Sequence, residues 1–334
     1  MHRALVTGGG GFIGKAIVRE LLRKRVRVTV VGRHRYPEVE RLGAVCLQGD
    51  IRDRDFMVQA LAGQDVVFHV AAKAGIWGAR KDYFSINVTG TVNVLEACRE
   101  NNVRHLVYTS TPSVVFDRHD LQGVDESAPY AKKTLCYYAA SKIVAEKKVL
   151  QSNSEELCTT ALRPHLVWGP GDNHLMPRLI ERGRLGKLKI IGDGLNRVDI
   201  AFIDNVVHAH LLAAENLQTS GSAGGQAFFI AQNEPVPLWP WINEVYEQLG
   251  VPRIMEKVPF KIAFAAGWML EAAYGLLQRR SEPPMTRFVA LQLARSHWFS
   301  HDKARKIMGY RELVSTEEGM EQLVDWLQVN SRSA

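Results

Sequence analysis

Cysteine is scarce in this sequence of 334 residues, which contains only Cys46, Cys98, Cys136 and Cys158. No two of them have the Cys-x-x-Cys spacing, so the sequence offers no disulfide framework, zinc ribbon or thioredoxin-like redox pair. Free thiols are typical of a reducing compartment, and we expect a cytoplasmic protein. No metal site is expected, because four histidines that were considered as ligands lack a matching set of acids or thiols: His165, His174, His208 and His210.

Long apolar runs are missing as well. No uninterrupted stretch reaches the ~18 residues that mark a membrane-spanning helix, and the first residues lead into a strand pattern rather than a signal peptide. The charge is only mildly one-sided, since 42 Lys and Arg against 35 Asp and Glu give a formal net charge of +7. This bias favours anionic ligands, but without a dense basic arm nucleic-acid binding is not expected.

The first half of the sequence contains a regular alternation of strand and helix patterns. Predicted strands cover 4–7, 26–31, 44–47, 66–70, 105–110 and 159–167, and predicted helices cover 15–24, 91–99 and 141–150. The strands are continuously apolar, which indicates a sheet that is covered on both faces. Strands that alternate with helices predict an α/β fold of the Rossmann type, with a doubly wound parallel sheet.

The second half is less regular. A break at 169–173 is followed by short predicted strands at 187–191, 200–203 and 227–230, of which the last two could return to the main sheet. From residue 235 onward the pattern is mostly helical. We therefore predict a nucleotide-binding Rossmann domain of residues 1–167 and 199–232, and a smaller, mostly helical substrate-binding lobe of residues 168–198 and 233–334.

A glycine-rich turn separates the first predicted strand from the first predicted helix. In its G-x-x-G-x-x-G pattern, Gly8 permits a tight turn, Gly11 lets a pyrophosphate approach the backbone, and Gly14 lets the helix pack closely on the strand. The helix would point its first N–H groups and its positive dipole end at the phosphates. A plain glycine-rich loop is the alternative, but this position predicts dinucleotide binding by Gly8, Gly11, Phe12, Ile13 and Gly14.

The end of the second predicted strand bears on the choice between NAD and NADP. NAD-binding domains usually carry an acid there that holds the ribose 2′-hydroxyl, whereas this strand continues as Gly32-Arg33-His34-Arg35. Gly32 leaves space for a 2′-phosphate and Arg33 can bind it with two hydrogen bonds. These cations could also be solvated surface charges. We expect NADP(H) to be preferred, with NAD(H) as the alternative.

Two further strand ends are expected to line the cofactor site. Asp50 and Ile51 follow the third strand, where the edge of an adenine would pass, and Ala71 and Ala72 end the fourth strand with side chains small enough for close approach. Each pair could instead serve only in a turn.

A tyrosine and a lysine four residues apart are the candidate catalytic pair. On a helix, Tyr138 and Lys142 share one face, and a nearby ammonium is expected to lower the pKa of the phenol from ~10 toward neutral. Such a tyrosine can give a proton to a ketone oxygen or take one from an alcohol. A chance lysine at this spacing is the alternative.

Hydroxyl groups cluster at the carboxyl end of the fifth predicted strand, where ligands bind in open α/β sheets. Ser110, Thr111 or Ser113 could donate a hydrogen bond to a substrate oxygen that gains negative charge, or could merely cap the following turn.

Together, the Thr-Gly-x-x-Gly-x-x-Gly opening, the Thr-Ser-Thr segment at 109–111 and the Tyr-x-x-x-Lys pair resemble the extended short-chain dehydrogenase/reductases. Within that family, the segments 71–78, 168–174 and 286–300 look most like the 3β-hydroxysteroid dehydrogenase branch, which includes sterol-4α-carboxylate 3-dehydrogenases and bacterial 2-alkyl-3-oxoalkanoate reductases. The resemblance covers nearly the whole chain.

The resemblance implies specific roles for individual residues. Tyr138 would be the proton donor or acceptor, Lys142 its activator and a partner of the cofactor ribose, and Thr111 the hydroxyl that binds the substrate oxygen. Asn87, Pro164 and His165 match positions that contact the cofactor. Candidate substrate contacts are Trp77, Ser113 and Asn173.

The reaction implied by the resemblance is NADPH-dependent reduction of a hydrophobic 2-alkyl-3-oxoalkanoate, a β-keto acid, at C3. Oxidation of a 3β-hydroxysteroid or a sterol-4α-carboxylate is the alternative. A nucleotide-sugar epimerase or dehydratase and a non-catalytic NADP(H)-binding regulator are less favoured. The family also implies a homodimer formed through the helices at 91–99 and 141–150.

One apolar segment lies outside these motifs. Residues 262–277 contain a single charged residue, Glu271, and are flanked by Lys257, Lys261, Arg279 and Arg280. The segment is shorter than the ~20 residues of a spanning helix. It could be a core helix, a lid over a hydrophobic substrate, or an interfacial helix that makes peripheral contact with a membrane.

Overall fold

The computed structural model describes residues 1–331 and is built around parallel strands. The fifteen strands of this part of the chain are β1 (Arg3–Thr7), β2 (Arg27–Gly32), β3 (Val45–Gln48), β4 (Val66–His69), β5 (His105–Thr109), β6 (Leu121–Val124), β7 (Cys158–Pro164), β8 (Val167–Trp168), β9 (Ile190–Ile191), β10 (Arg197–Val198), β11 (Ala201–Phe202), β12 (Ala227–Ile230), β13 (Val236–Pro237), β14 (Lys257–Val258) and β15 (His297–Phe299).

Thirteen α-helices accompany these strands in the described residues. They are α1 (Phe12–Arg23), α2 (Pro37–Glu40), α3 (Arg54–Ala60), α4 (Arg80–Phe84), α5 (Gly90–Glu100), α6 (Tyr137–Gln151), α7 (Leu175–Arg184), α8 (Ile203–Gln218), α9 (Leu238–Gln248), α10 (Phe260–Leu276), α11 (Arg287–Ala294), α12 (Asp302–Met308) and α13 (Thr316–Ser331). A π-helical turn, Ser85–Thr89, leads into α5.

Seven strands form one parallel sheet in the order β12-β7-β5-β4-β1-β2-β3. Successive residues of the central strands alternate between two hydrophobic cores: Val6 and Phe68 pack in one, Leu5 and Val67 in the other. The sheet is therefore covered on both faces, which is why its strands read as continuously apolar. The predicted Rossmann-type, doubly wound fold is confirmed.

The predicted strand at 159–167 is interrupted. β7 ends at Pro164, and Leu166 adopts a left-handed backbone conformation with φ of 40°, which turns the chain before β8 begins. β8 leaves the main sheet and pairs with β11. The expectation that residues 200–203 return to the main sheet is therefore wrong, whereas β12 does join it beside β7.

The remaining short strands pair with one another outside the main sheet. A second sheet has the order β13-β10-β15-β6, and β14 pairs with β9. No helix in the described part of the chain combines the length and the apolar character that crossing a bilayer requires. The division into a Rossmann domain and a substrate lobe at the stated boundaries stays a prediction.

The apolar segment at 262–277 forms most of α10, and it is not a core helix. Only Ala263 and Gly267 of this helix are buried. Gly267 lies so close to α11 that an added Cβ would come within 2.6 Å of the Thr286 carbonyl carbon. One face of α10 thus packs on α11, and the opposite face is open to solvent.

Candidate active site

The glycine turn lies where the strand order of the main sheet reverses, between β1 and β4. Gly8 has a φ of +70°, and an added Cβ would come within 2.9 Å of Ala71 Cα at the end of β4. A Cβ on Gly14 would come within 2.2 Å of the Gly8 carbonyl oxygen. The first N–H groups of α1 have no capping side chain, because Gly11 is the N-cap. This turn fits a dinucleotide pyrophosphate, which needs close backbone approach and free N–H donors.

A cavity of about 640 Å³ extends from this turn along the carboxyl ends of the strands. Its wall contains most of the residues that the sequence singles out: Gly8, Gly11, Phe12, Ile13, Gly14, Arg33, Asp50, Ile51, Ala71, Ala72, Thr111, Ser113, Tyr138, Lys142, Pro164 and His165. Three predicted site residues do not line it: Asn87, Trp77 and Asn173. Parallel strands bring these distant motifs together because all their carboxyl ends meet at one edge.

At the adenine end of the cavity, Gly32 and Tyr36 lie side by side in the wall. A Cβ on Gly32 would come within 2.4 Å of the Tyr36 ring, and the same ring covers Gly10. Because Gly32 itself lines the cavity, the expectation that it leaves space for a 2′-phosphate stays a prediction. Arg33 does line the cavity, whereas Arg35 lies 3.7 Å from Glu40 in an ion pair.

Asp50 also lines the adenine end, and its charge has a partner. Both carboxylate oxygens accept from the Arg52 guanidinium, at 3.0 and 2.7 Å. This pairing lowers the pKa of Asp50. Asp50 is therefore an ionised acceptor.

At the opposite end, Tyr138 and Lys142 project from the first two turns of α6 into the cavity. The Lys142 ammonium donates to the Thr109 carbonyl oxygen at 2.6 Å and lies 4.1 Å from the centre of the Tyr108 ring. Lys142 is only 2% exposed, and this burial lowers its pKa to about 7.

The prediction that Lys142 lowers the pKa of Tyr138 is wrong for the protein alone. Burial raises the pKa of Tyr138 to about 12, and among the described residues only the Thr111 hydroxyl opposes this rise, through a hydrogen bond. The ammonium instead contacts Thr109 and Tyr108. The phenol is thus fully protonated at neutral pH, as a proton donor must be.

The strand-end hydroxyls have distinct surroundings. The Thr111 hydroxyl donates to Ser113 Oγ at 3.2 Å and accepts from the Ser113 N–H, so it caps a short 3₁₀ turn while it also reaches Tyr138. Ser110 Oγ is buried and has no hydrogen-bond partner among the described residues. The assignment of the catalytic hydroxyl to Thr111 stays a prediction, although Thr111 is the hydroxyl beside the phenol.

Asn87 lies behind the cavity wall, 1% exposed, and not on it. Its amide holds the backbone of Lys73, accepting from the N–H at 2.7 Å and donating to the carbonyl oxygen at 3.1 Å. It also donates to Ser141 Oγ, which in turn donates to the Tyr138 carbonyl oxygen at 2.8 Å. Asn87 therefore fixes the segment after β4 against the start of α6. The family resemblance implies a different role for Asn87, which is direct contact with the cofactor.

A buried ion pair holds α6 against β7. Glu146, one turn beyond Lys142, accepts from Arg163 at 3.0 and 2.6 Å and from the Tyr130 hydroxyl at 2.8 Å. Arg163 directly precedes Pro164 and His165, which line the cavity. The pair thus sets the distance between the helix that carries Tyr138 and the strand end that faces it.

His165 belongs to a hydrogen-bonded chain whose proton positions can be assigned. His297 Nε2 lies 2.9 Å from the Gln292 carbonyl oxygen, which only accepts, so this nitrogen carries the proton. His297 Nδ1 must then accept from His165 Nε2, at 2.6 Å. Burial lowers the pKa of both imidazoles. The chain leaves His165 Nδ1 as an acceptor on a residue of the cavity wall.

Trp77 and Asn173 do not line the cavity, although their neighbours do. The Trp77 indole donates to the Arg279 carbonyl oxygen at 3.0 Å and packs edge-on to Tyr274. Asn173 lies between two lining residues, Asp172 and His174.

Sequence reasoning missed several residues of the wall, among them Tyr36, Lys73, Asp172, His174, Phe288 and Gln292. Phe288 and Gln292 are one helical turn apart on α11, and this spacing was the available signal. Tyr36 gives no such signal, because only the fold brings its ring over Gly10 and Gly32.

Comparison with known proteins agrees with this geometry. Residues 5–261 match the 3-beta hydroxysteroid dehydrogenase/isomerase family. The chain is 48% identical over 331 residues to a 2-alkyl-3-oxoalkanoate reductase of Shewanella oneidensis, covering 97% of this chain and 86% of that protein. It is 35% identical over 327 residues to the sterol-4-alpha-carboxylate 3-dehydrogenase, decarboxylating, of Mus musculus, covering 96% and 90%.

The solved structures show the same architecture. MoeE5 in complex with UDP-glucose and NAD superposes with a TM-score of 0.77 at 25% identity, covering 98% of this chain and 99% of that one. The fold and the sequence relatives agree on an NAD(P)-dependent oxidoreductase of the extended short-chain dehydrogenase/reductase type. The chain belongs to the 3-beta hydroxysteroid dehydrogenase/isomerase family.

Proposed function

We propose that this protein reduces the C3 ketone of a 2-alkyl-3-oxoalkanoate to a secondary alcohol, with NADPH as the reductant. The observation that carries the proposal is a single cavity with the glycine turn at one end and the Tyr138 phenol, beside the Thr111 hydroxyl, at the other. The reductase of Shewanella oneidensis, at 48% identity, supports the choice of substrate.

The reaction needs a hydride at the carbonyl carbon and a proton at its oxygen. NADPH, bound along the glycine turn, would supply the hydride. Tyr138 gives its phenolic proton to the oxygen. The Thr111 hydroxyl turns its proton from Ser113 Oγ to the same oxygen and donates a hydrogen bond as negative charge builds there. The Lys142 ammonium, one helical turn from Tyr138, stabilises the phenolate that remains.

The preference for NADPH rests on charge at the end of β2. Arg33 lines the cavity there, and residues 32–35 contain no acid that would repel a 2′-phosphate. The aromatic ring of Tyr36 also lines this part of the cavity. We assign Arg33 to the 2′-phosphate, and Asp50 and Ile51 to the adenine.

We also propose that the protein acts in the cytoplasm, as its four free thiols suggest, and as a homodimer. The dimer would form through α5 and α6, which pack against each other in this chain.

A panel of substrates tests the proposed function. NADPH absorbance is followed with 2-alkyl-3-oxoalkanoates, and cofactor reduction with NAD⁺ or NADP⁺ is followed with 3β-hydroxysteroids and 4-carboxysterols. We expect the fastest turnover with NADPH and the β-keto acid. Faster oxidation of a 4-carboxysterol would favour the activity named for the relative at 35% identity. NADPH binding without ketone-dependent consumption would indicate a non-catalytic regulator.

A further inference from the structure

The proposed substrate carries a negative charge next to its reacting carbon. In a 2-alkyl-3-oxoalkanoate the carboxylate is attached to C2, the neighbour of the C3 ketone, so it would enter the cavity close to Tyr138. A carboxyl group with a pKa of about 4 is ionised at neutral pH. Burial of a carboxylate without a cationic partner is costly, and hydride transfer builds a second negative charge on the nearby oxygen. A cavity for this substrate therefore needs a cation near the phenol.

Five basic side chains line the cavity in the described part of the chain: Arg33, Lys73, Lys142, His165 and His174. Arg33 lies at the adenine end, and Lys142 is held on a backbone carbonyl oxygen one helical turn from the phenol. Burial lowers the pKa of His165, so its imidazole is neutral. His174 is the N-cap of α7. Lys73 is therefore the ammonium that has no other assignment, and His174 is the alternative.

The Lys73 side chain lies at the same end of the cavity as the phenol. Its Nζ is 5.2 Å from the centre of the Tyr83 ring and 3.5 Å from a carboxylate oxygen of Asp82. Burial raises the pKa of Tyr83 to about 12, with smaller contributions from Cys136 and Tyr138, so this ring is close to Tyr138. Asp82 is 55% exposed, and an ion pair so open to water contributes little. The ammonium can therefore exchange Asp82 for another carboxylate at low cost.

The backbone of Lys73 is fixed relative to Tyr138. The Asn87 amide accepts from the Lys73 N–H at 2.7 Å and donates to the Lys73 carbonyl oxygen at 3.1 Å. The same amide donates to Ser141 Oγ at 2.9 Å, and Ser141 Oγ donates to the Tyr138 carbonyl oxygen at 2.8 Å. The ketone and the carboxylate of one molecule are close together, so the groups that bind them must also be held in position relative to each other.

We propose that the Lys73 ammonium moves from Asp82 to the substrate and binds the carboxylate at C2. This assignment rests on the proposed function and adds to it the group that selects β-keto acids over ketones without a carboxylate. The ammonium offsets the carboxylate charge beside the oxygen that becomes negative during hydride transfer, so it stabilises the transition state as well as the bound substrate. An ester of the same acid gains nothing from this contact.

Oxidation of the alcohol product tests the assignment, because the alcohol is stable whereas β-keto acids lose CO₂ in solution. A 2-alkyl-3-hydroxyalkanoate and its methyl ester are each supplied with NADP⁺, and the rate of NADPH formation gives kcat/KM. We expect the wild type to prefer the acid to the ester. Lys73→Gln should lower kcat/KM for the acid about 10- to 100-fold, as loss of a charge-assisted contact does, and should leave the ester within about twofold.

Three further variants and a binding measurement locate the effect. Lys73→Arg keeps the charge and should lose less activity on the acid than Lys73→Gln. Lys81→Gln removes an exposed lysine on the other side of Asp82 in sequence, which does not line the cavity, and should behave as the wild type. His174→Gln should change the rates with acid and ester equally. Fluorescence titration should give the same Kd of NADPH for Lys73→Gln and for the wild type.

Several results would overturn the assignment of Lys73. They are an unchanged rate of Lys73→Gln with the acid, equal losses with acid and ester, weaker binding of NADPH, and a loss specific to the acid in His174→Gln alone. Each of these leaves the proposed function in place, because the wild type still oxidises the acid. A wild type that oxidises neither compound would instead contradict the proposed function, and with it the role of Lys73.

Discussion

At the scale of single residues, burial determines the protonation of Tyr138 and Lys142, the candidate catalytic pair. Tyr138 keeps its proton because its surroundings disfavour the phenolate, and Lys142 has a pKa of about 7 because burial disfavours the ammonium. A developing negative charge on a substrate oxygen would favour the ammonium and ease the loss of the phenolic proton. In the protein alone, Tyr138 therefore carries the proton that the proposed reduction requires.

The cofactor assignment predicts an uneven effect of Arg33→Ala. A charge-assisted, bidentate contact with a 2′-phosphate contributes about 1.5–3 kcal/mol, so the KM for NADPH should rise about 10- to 100-fold while the KM for NADH changes little. Steady-state kinetics with both cofactors measure this. Arg35→Ala, at the cation paired with Glu40, is the matched control and should leave both values unchanged. Equal losses for the two cofactors would remove Arg33 from the 2′-phosphate site.

At the scale of elements, the glycine turn connects β1 to α1 so tightly that neither Gly8 nor Gly14 has room for a side chain. The Gly14 Cα lies against the Gly8 carbonyl, and Gly8 lies against the end of β4. Two strands and one helix therefore meet at the point where the pyrophosphate is expected. The position of α1 and the shape of the cofactor site depend on the same contact.

Gly14→Ala should accordingly destabilise the fold and weaken cofactor binding together. Its Cβ would come within 2.2 Å of a backbone oxygen, and forced overpacking of this kind costs about 1–3 kcal/mol. Urea unfolding and NADPH fluorescence titration measure the two effects. Gly275→Ala is the control, because a Cβ there meets nothing within 4 Å on an exposed helix, so stability should rise by up to about 1 kcal/mol. An unperturbed Gly14→Ala protein would contradict the close packing of α1 on the turn.

Elements with a strong periodic signal could be predicted from the sequence, and contacts between distant elements could not. The strands of the main sheet and the Tyr138–Lys142 face of α6 follow from hydrophobic pattern and spacing. The ring of Tyr36 over Gly32, the position of Asn87 behind the wall and the pairing of His165 with His297 depend on tertiary packing, which no local pattern encodes. The composition of α10 likewise did not reveal that one of its faces is exposed.

At the scale of the whole molecule, four histidines whose pKa is lowered by burial make stability depend on pH. His69, His165, His210 and His297 are each less than 10% exposed. Burial lowers the pKa of His69 to about 3 and that of His210 to about 4, below the 6.5 of an exposed histidine. These histidines bind protons near pH 6.5 in the unfolded chain but only at lower pH in the folded chain. The free energy of unfolding is therefore retained above pH 6.5 and decreases as the pH falls below it.

The free energy of unfolding should therefore fall between pH 6.5 and pH 5, by about 2 kcal/mol for each of His69 and His210. His69→Gln should make this slope shallower by about 1.4 kcal/mol per pH unit, whatever its effect at pH 8. Urea unfolding at a series of pH values measures the slope, and His119→Gln, at an exposed histidine, is the control. An unchanged slope in His69→Gln would show that His69 titrates in the folded protein.

Whether the Tyr138 phenol protonates a ketone beside a bound nicotinamide is tested most sharply by comparing two adjacent tyrosines. Tyr138→Phe removes the phenol from the cavity, and Tyr137→Phe removes a neighbour that is 47% exposed and does not line it. With NADPH and a 2-alkyl-3-oxoalkanoate, Tyr138→Phe should lower kcat at least about 100-fold without weakening NADPH binding, and Tyr137→Phe should behave as the wild type. Undiminished turnover in Tyr138→Phe would show that the Tyr138 phenol is not the proton donor.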